Sequence, residues 1–269
     1  MVLGVEIGGT KLQVGVADVR GHLRQLVRLP VNRAAGQAGI LQQFATCIPA
    51  LLHGGRVQAI GVGFGGPVDC QSGRVITSHQ VAGWSGFPLR QWFERQFHLP
   101  VVIENDSNCA ALAEARRGAG RGHPVVFYTN IGTGIGGGLV VDGALYTGRY
   151  GAMELGHTRL PVGTKFPTVE DLAAGLAIER GRSTVAKSAR VMGIAVANVI
   201  ALLNPDVVVI GGGVAKAGAK FFRPLRATVR KLVFAPFRQN YQIAPAQLGE
   251  PVVVVGATLL AAELVARRR

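Results

Sequence analysis

Asn130-Ile131-Gly132-Thr133-Gly134-Ile135-Gly136-Gly137-Gly138 is the stretch whose reading decides the fold, and it has an earlier echo in Glu6-Ile7-Gly8-Gly9-Thr10-Lys11. Strand-like runs flank both: Val125 to Thr129 and Leu139 to Val141 around the longer stretch, Val2 to Ile7 and Leu12 to Ala17 around the shorter. Each therefore reads as the turn of a β-hairpin. Glycines in such a turn can take φ > 0, and without Cβ atoms they let several backbone N–H groups face one bulky anion, a phosphate. A hairpin turn is neither the strand-to-helix glycine loop of a dinucleotide-binding unit nor a P-loop, which needs G-x-x-x-x-G-K-[ST]. The two turns lie about 125 residues apart, and the pair predicts two similar halves gripping one polyphosphate chain between them. Either turn alone fits equally well a tight hairpin at a crowded strand crossing. A third cluster, Gly211-Gly212-Gly213, follows the strand-like Asp206 to Ile210 and opens a helix-like run, which weighs against turns only.

A chain of 269 residues with 48% hydrophobic content suffices for one large or two medium α/β lobes. The apolar run from Val191 to Leu203 is interrupted by Asn198 and reads as a buried helix too short to cross a bilayer. The chain enters a strand almost at once, without a basic region and apolar core, so a soluble cytoplasmic protein with no membrane partner is expected. Cys47, Cys70 and Cys109 are far apart and indicate neither a disulfide framework nor a cysteine-rich zinc site. The 29 Lys and Arg against 15 Asp and Glu give a formal charge of +14, which favours anionic ligands without identifying them. Without a zinc finger, aromatic platform or helix-turn-helix, nucleic acid is not an expected partner.

In chain order, Glu6, Thr10 and Lys11 stand at or beside the first turn. A carboxylate there suits Mg²⁺ or its waters, the hydroxyl a phosphate oxygen, and the ammonium group its charge. A helical pattern over Ala38 to Leu52 precedes a buried strand, Ala59 to Phe64, which ends in Gly65-Gly66-Pro67-Val68-Asp69, a turn able to bring backbone close to a small ligand. Trp84 reads as core rather than as a platform under a sugar ring. After a helix over Arg90 to Phe97, the strand Val101 to Ile103 delivers Glu104-Asn105-Asp106-Ser107-Asn108 at the head of an Ala-rich helix, Cys109 to Arg116. Asp106 sits where an N-cap would be; equally, a carboxylate at a strand's C-terminal end can accept a proton from a substrate hydroxyl. Glu154 and His157 have no second His nearby, so their spacing does not make a metal site. Lys220, Arg223, Arg226, Arg230 and Lys231 are spaced to put most of them on one face of a late helix, most often a merely solvated face, before a last apolar helix, Ala257 to Ala266.

Taken together, Glu6-Ile-Gly-Gly-Thr-Lys11, Glu104-Asn-Asp-Ser-Asn108, Gly132-Thr-Gly-Ile-Gly-Gly-Gly138, Glu154-Leu-Gly-His157 and Asn204-Pro-Asp-Val-Val-Val-Ile-Gly-Gly-Gly-Val214 resemble, in this order, the motifs of the ROK sugar kinases. The resemblance implies an α/β, two-lobed actin-like ATPase fold of the hexokinase type closing over ATP and a hexose. Its lobes are expected at 1–107 with the C-terminal helix at about 255–269, and at 108–254, the second holding nucleotide and dimer elements. It further implies Asp106 as general base, Asn105, Glu154, His157 and Glu170 as sugar ligands with Gly65 close by, Gly8, Gly9, Thr10, Lys11, Thr133 and Gly134 on the phosphates, and Gly211, Gly212 and Gly213 along the adenosine. Glu6 would hold Mg²⁺ indirectly, and a homodimer is expected.

The chain departs from the family pattern in two places. Most members carry Asp where Glu6 stands, and the longer arm shifts a metal–water contact by about one C–C bond length. The usual cysteine-rich zinc loop corresponds here to Thr158 to Val169, which has no cysteine, so no structural zinc is expected and Pro161 and Pro167 are expected to stiffen the loop instead. The span between Glu170 and Val191 is short, predicting a trimmed sugar lobe. Rival readings are a polyphosphate-dependent glucokinase, a non-catalytic sugar sensor of the same fold, and a repressor of the same family, which would need a DNA-binding module ahead of Glu6.

Overall fold

The computed structural model describes residues 1–52, 57–78, 81–148, 151 and 153–268. In chain order it contains β1 (Val2–Ile7), β2 (Lys11–Ala17), β3 (Leu23–Pro30), α1 (Gly36–Leu52), β4 (Ile60–Phe64), β5 (Val68–Asp69), β6 (Arg74–Val75), α2 (Leu89–Phe97), β7 (Val101–Asn105) and α3 (Asp106–Arg117). There follow β8 (Val125–Ile131), β9 (Ile135–Val141), β10 (Ala144–Tyr146), α4 (Val169–Ala173), α5 (Gly175–Glu179), α6 (Val185–Leu203), β11 (Val207–Gly211), α7 (Ala219–Leu232), β12 (Gln242–Pro245) and α8 (Val252–Ala266). Contacts divide the chain into a first unit, Met1–Ala113 with Thr147–Ala152 and Glu250–Arg269, and a second, Glu114–Tyr146 with Met153–Gly249.

In the first unit the sheet runs β3-β2-β1-β4-β7, antiparallel over its first three strands and parallel over β1, β4 and β7. Every residue of β1 and β4 is buried, as strands covered on both faces require. Side chains alternate: Leu3, Val5 and Ile7 join the core formed with Ile40, Phe44 and Ile48 of α1 and Phe93 of α2, while the opposite parity faces α8. On that face Gly15, Gly4 and Gly61 lie side by side across three strands. A Cβ on Gly4 would stand 2.5 Å from the Val254 carbonyl and one on Gly61 1.9 Å from that of Ala257, so the missing side chains form the trough in which α8 lies. Trp84 is fully buried edge-on against Phe64 and Phe87, the core position expected of it.

The second unit repeats this strand order and these directions as β10-β9-β8-β11-β12. Its core is built largely from α6, which packs on α7 and α4. Thr184 caps α6 at its start and Asn204, left-handed at φ 44°, ends it ahead of Pro205. The buried helix read from Val191 thus starts six residues earlier. At 19 residues it is long and apolar enough to cross a membrane by length and composition, contrary to the sequence estimate, and 56% of its apolar window is buried within the unit.

Three local expectations change. The glycine-rich stretch is mostly strand: only Gly132, Thr133 and Gly134 turn, while Gly136, Gly137 and Gly138 pair with Asn130, Thr129 and Tyr128. None of Gly8, Gly9, Gly132 and Gly134 is left-handed; at Gly8 and Gly134 space is tight instead, a Cβ there standing 3.0 Å from the Lys11 carbonyl and 2.6 Å from Glu170 Oε2. At the head of α3 the cap is Asn105, whose Oδ1 accepts from the N–H groups of Ser107 (2.8 Å) and Asn108 (3.3 Å), and Asp106 is the first helical residue.

Candidate active site

The predicted residues of the first unit gather at the carboxyl ends of its parallel strands, where open α/β sheets bind ligands. The turn after β1 is closed by a hydrogen bond from Gly8 N–H to the Lys11 carbonyl (3.1 Å). Gly65, leaving β4, donates to the Ile7 carbonyl (2.8 Å). A Cβ on Gly65 would lie 3.2 Å from that carbonyl oxygen, 3.3 Å from Asp106 Oδ2 and 3.5 Å from Gly8 Cα. Gly65 is thus the point at which the glycine turn after β1 and the Asp106 carboxylate approach one another, and a side chain would crowd both. Asp106 keeps part of its surface in water, and Ser107 Oγ donates to its Oδ1 (3.2 Å).

Glu6, next to last in β1, is almost fully buried. Lys11 Nζ lies 3.4 Å from its Oε1 and donates to the Glu250 carbonyl (3.1 Å), but Glu6 Oε2 has no partner among the described residues. Burial pushes the Glu6 carboxyl from its ordinary 4.5 up to about 7; Lys11 pulls the other way, and Asp106 adds to the rise. A buried carboxylate with one unsatisfied oxygen beside a second carboxylate is a donor set that fits a hydrated divalent cation. Thr10 is exposed at the turn. Sequence reading missed Arg33, whose Nε donates to the Gly9 carbonyl (3.0 Å) and adds a second cation to the turn; 24 residues separate the two and no local motif announces the contact.

Asn105 is more committed than its motif suggests. Its Oδ1 serves the two cap hydrogen bonds, and Nδ2 donates to the Gly66 carbonyl (3.1 Å). An amide has two N–H donors, so Asn105 can meet a sugar hydroxyl only as a donor, through its remaining N–H.

The second unit forms its own cluster at the carboxyl ends of β8 and β11. Gly132 N–H closes the turn on the Gly134 carbonyl (2.9 Å), the Gly132 carbonyl accepts from Gly175 at the start of α5 (2.7 Å), and Thr133 is exposed. Glu170 Oε2 accepts from Ile135 N–H (2.7 Å), and a Cβ on Gly134 would meet that oxygen at 2.6 Å. Gly137 of the glycine run and Gly156 beyond it leave room for backbone: Cβ atoms there would stand 2.7 Å from the Met153 carbonyl and 2.3 Å from that of Ile135. Their absence seats the short 3₁₀ turn Leu155–His157 on β9, with Glu154 within electrostatic reach of His157 and Glu170. Glu154 is exposed over more than a third of its surface; partial burial still raises its carboxyl, His157 lowers it, and Glu170 raises it. Gly212, left-handed at φ 90°, packs directly on the Ile131 backbone, so Gly211-Gly212-Gly213 adjoins the glycine turn, with Gly213 exposed.

Where the family's zinc loop is expected, residues 158–169 fold back on themselves. Arg159 pairs with Thr168 and Val162 with Lys165, Leu160 N–H donates to the Pro167 carbonyl (3.1 Å), and Thr168 with Asp171 forms a capping box opening α4.

The family model of the ROK family matches residues 2–184 and 173–264. The chain belongs to the ROK family. A glucokinase from Thermotoga maritima is 30% identical over 97% of this chain and 97% of its own. A ROK hexokinase from Thermus thermophilus superposes with a TM-score of 0.84 at 30% identity, covering 99% of each chain. A ROK family glucokinase from Streptomyces griseus, solved with glucose and AMPPNP, gives 0.83 at 29% identity over 97% of this chain and 99% of the other. The fold of this ROK protein is accordingly the α/β, actin-like ATPase fold expected from its motifs.

Proposed function

We infer that this ROK protein is a sugar kinase, transferring the terminal phosphoryl group of ATP to a hydroxyl of a hexose, with glucose the first candidate acceptor. The observation that carries the reading is the convergence at Gly65 of the Gly8 phosphate turn and the Asp106 carboxylate. The glucokinase likeness and the AMPPNP and glucose held by the Streptomyces griseus enzyme support the choice of donor and acceptor.

Phosphoryl transfer needs positioning and charge neutralisation more than covalent help. In the proposed mechanism Asp106 accepts the proton of the attacking hydroxyl, while Asn105 donates its remaining amide N–H to a neighbouring sugar oxygen. Glu154 and His157 take further hydroxyls, with Glu170 using the oxygen not bonded to Ile135. Gly9, Thr10, Thr133 and Gly134 present N–H and O–H groups to phosphate oxygens, Gly8 closes the turn and leaves the approach free of a side chain, Lys11 and Arg33 offset the phosphate charge, and Gly211 to Gly213 give the adenosine a surface without side chains. Glu6 and Asp106 are the residues that would hold Mg²⁺ through its waters, and the ion would supply charge neutralisation on the phosphates. ATP as donor places the reaction in the cytoplasm, and a homodimer follows the family resemblance; sedimentation equilibrium tests the latter.

The deciding experiment is a coupled assay of ADP release with MgATP against glucose, mannose, fructose, N-acetylglucosamine and N-acetylmannosamine, run beside direct detection of sugar phosphate with inorganic polyphosphate as donor. Turnover on one sugar at about 1–100 s⁻¹ is expected with ATP. Turnover with polyphosphate alone overturns the donor. A sugar that raises Tm without turnover under either donor overturns the enzyme reading in favour of a sensor.

A further inference from the structure

Glu104 is a buried carboxylate that the mechanism above does not use. It lies next to last in β7, 5% exposed, and its Oε1 alone accepts from the backbone N–H of Asn105 (2.8 Å), Asn108 Nδ2 (3.0 Å) and the Cys70 thiol (3.2 Å). Hydrogen bonds to an ionised acceptor are short and strong, and three on one oxygen fix it from three directions. Asn108 is fully buried, and with its amide nitrogen turned to Glu104 its Oδ1 has no partner among the described residues. An unsatisfied buried acceptor costs stability. Burial and the neighbouring Glu104 charge push the Cys70 thiol up, so it remains a protonated donor rather than a reactive thiolate.

The three donors come from the segments that frame the site. Asn105 precedes Asp106, caps α3 and holds Gly66 through Nδ2. Cys70 follows the Gly65-to-Asp69 turn, and Asn108 lies in the first turn of α3. The far side of the 65–70 turn is anchored separately, since the Arg90 guanidinium donates to the carbonyls of Cys70 and Gln71.

We propose that Glu104 is a positioning residue for phosphoryl transfer: it fixes the Asn105 peptide and, through Cys70, the 65–70 turn, so that the remaining Asn105 N–H and the Asp106 carboxylate meet the sugar in one orientation. The proposal rests on the sugar-kinase reading. Glu104 touches no substrate; it acts through Asn105 and the turn.

The test combines kinetics on the acceptor identified above with amide hydrogen exchange on the ligand-free protein. Glu104→Gln keeps the shape and loses the charge, Cys70→Ala removes one donor, and Cys70→Ser restores a hydrogen-bonding group. Glu104→Gln is expected to lower kcat/KM for the sugar about 10- to 100-fold while KM for MgATP stays within about twofold and Tm falls only a few degrees. Cys70→Ala shows a smaller loss in the same direction, reversed by Cys70→Ser, and exchange quickens at residues 66–70 and 105–108. Unchanged sugar kinetics in Glu104→Gln overturn the proposal, as does a parallel fall of sugar and nucleotide parameters that tracks the folded fraction. Should the unmodified protein phosphorylate no hexose, it is the sugar-kinase reading that fails. The exchange measurement then still decides whether Glu104 holds the turn and the Asn105 peptide, and unaltered exchange overturns that too.

Discussion

At the head of α3 two adjacent residues divide the work a single N-cap carboxylate would do. Asn105 accepts the cap hydrogen bonds, and Asp106 presents its carboxylate at the end of β7 beside Gly65. Asp106→Asn keeps the shape and removes the proton acceptor, so kcat is expected to fall about 10²- to 10⁴-fold. Sugar affinity by calorimetry should stay within a few-fold, and turnover near normal would exclude Asp106 as the base. Glu6 makes a different prediction, about stability. Its folded value of about 7 lies above the ordinary 4.5, so the folded state binds the extra proton and stability drops as pH rises between those values. The gap corresponds to roughly 3 kcal/mol. Asp18, held down to about 2 chiefly by the His22 backbone N–H, acts in the opposite sense and only at lower pH, so the two windows do not overlap. In metal-free buffer Tm should decline from pH 4.5 to 7, and Glu6→Gln should flatten that decline; an equal slope in the variant assigns the effect elsewhere.

Glycines decide more at the scale of elements than as turn formers. Gly15, Gly4 and Gly61 open the trough for α8, and Gly256 in α8 lies so close to the Cys109 carbonyl that a Cβ would stand 1.9 Å away. The Cβ of Gly61→Ala has nowhere to go, because the opposing atoms are backbone of α8 rather than a flexible side chain. Overpacking of this kind costs about 1–3 kcal/mol or more. Urea denaturation should show a midpoint shifted down with m unchanged; a shift of less than about 0.5 kcal/mol would mean that α8 can move aside. Gly137 and Gly156 play the same part under the Glu154–His157 turn. The motif of Gly137 is visible in the sequence as a glycine-rich stretch. The reason for Gly137, room for the backbone of Met153, depends on a neighbour that no local pattern names.

Across the whole chain, what was legible follows sequence distance. The hairpin turns, Asp106 and the Glu154–His157 turn are short motifs, and strand alternation with apolar runs sufficed for the α/β class. Arg33 against Gly9, Cys70 against Glu104, and Glu114 accepting from the N–H groups of Gln247 and Leu248 are contacts between residues 24 to 134 apart, formed only once the chain has folded. Charge is the property for which composition alone makes a whole-molecule prediction. The chain carries +14, and from Val207 to Gly249 it has no acidic residue while α7 presents Lys220, Arg223, Arg226, Arg230 and Lys231 to solvent. Such a field raises the local concentration of an anion and not that of a neutral solute, and salt screens it over a Debye length of about 10 Å at 0.1 M. Raising ionic strength from about 0.02 to 0.3 M should therefore increase KM for MgATP several-fold, while KM for a neutral hexose stays constant. Because one enzyme and one turnover report both constants, loss of folded protein would change kcat and leave the two responses alike. Equal salt dependence of the two KM values would show that the excess charge lies where the nucleotide does not sense it.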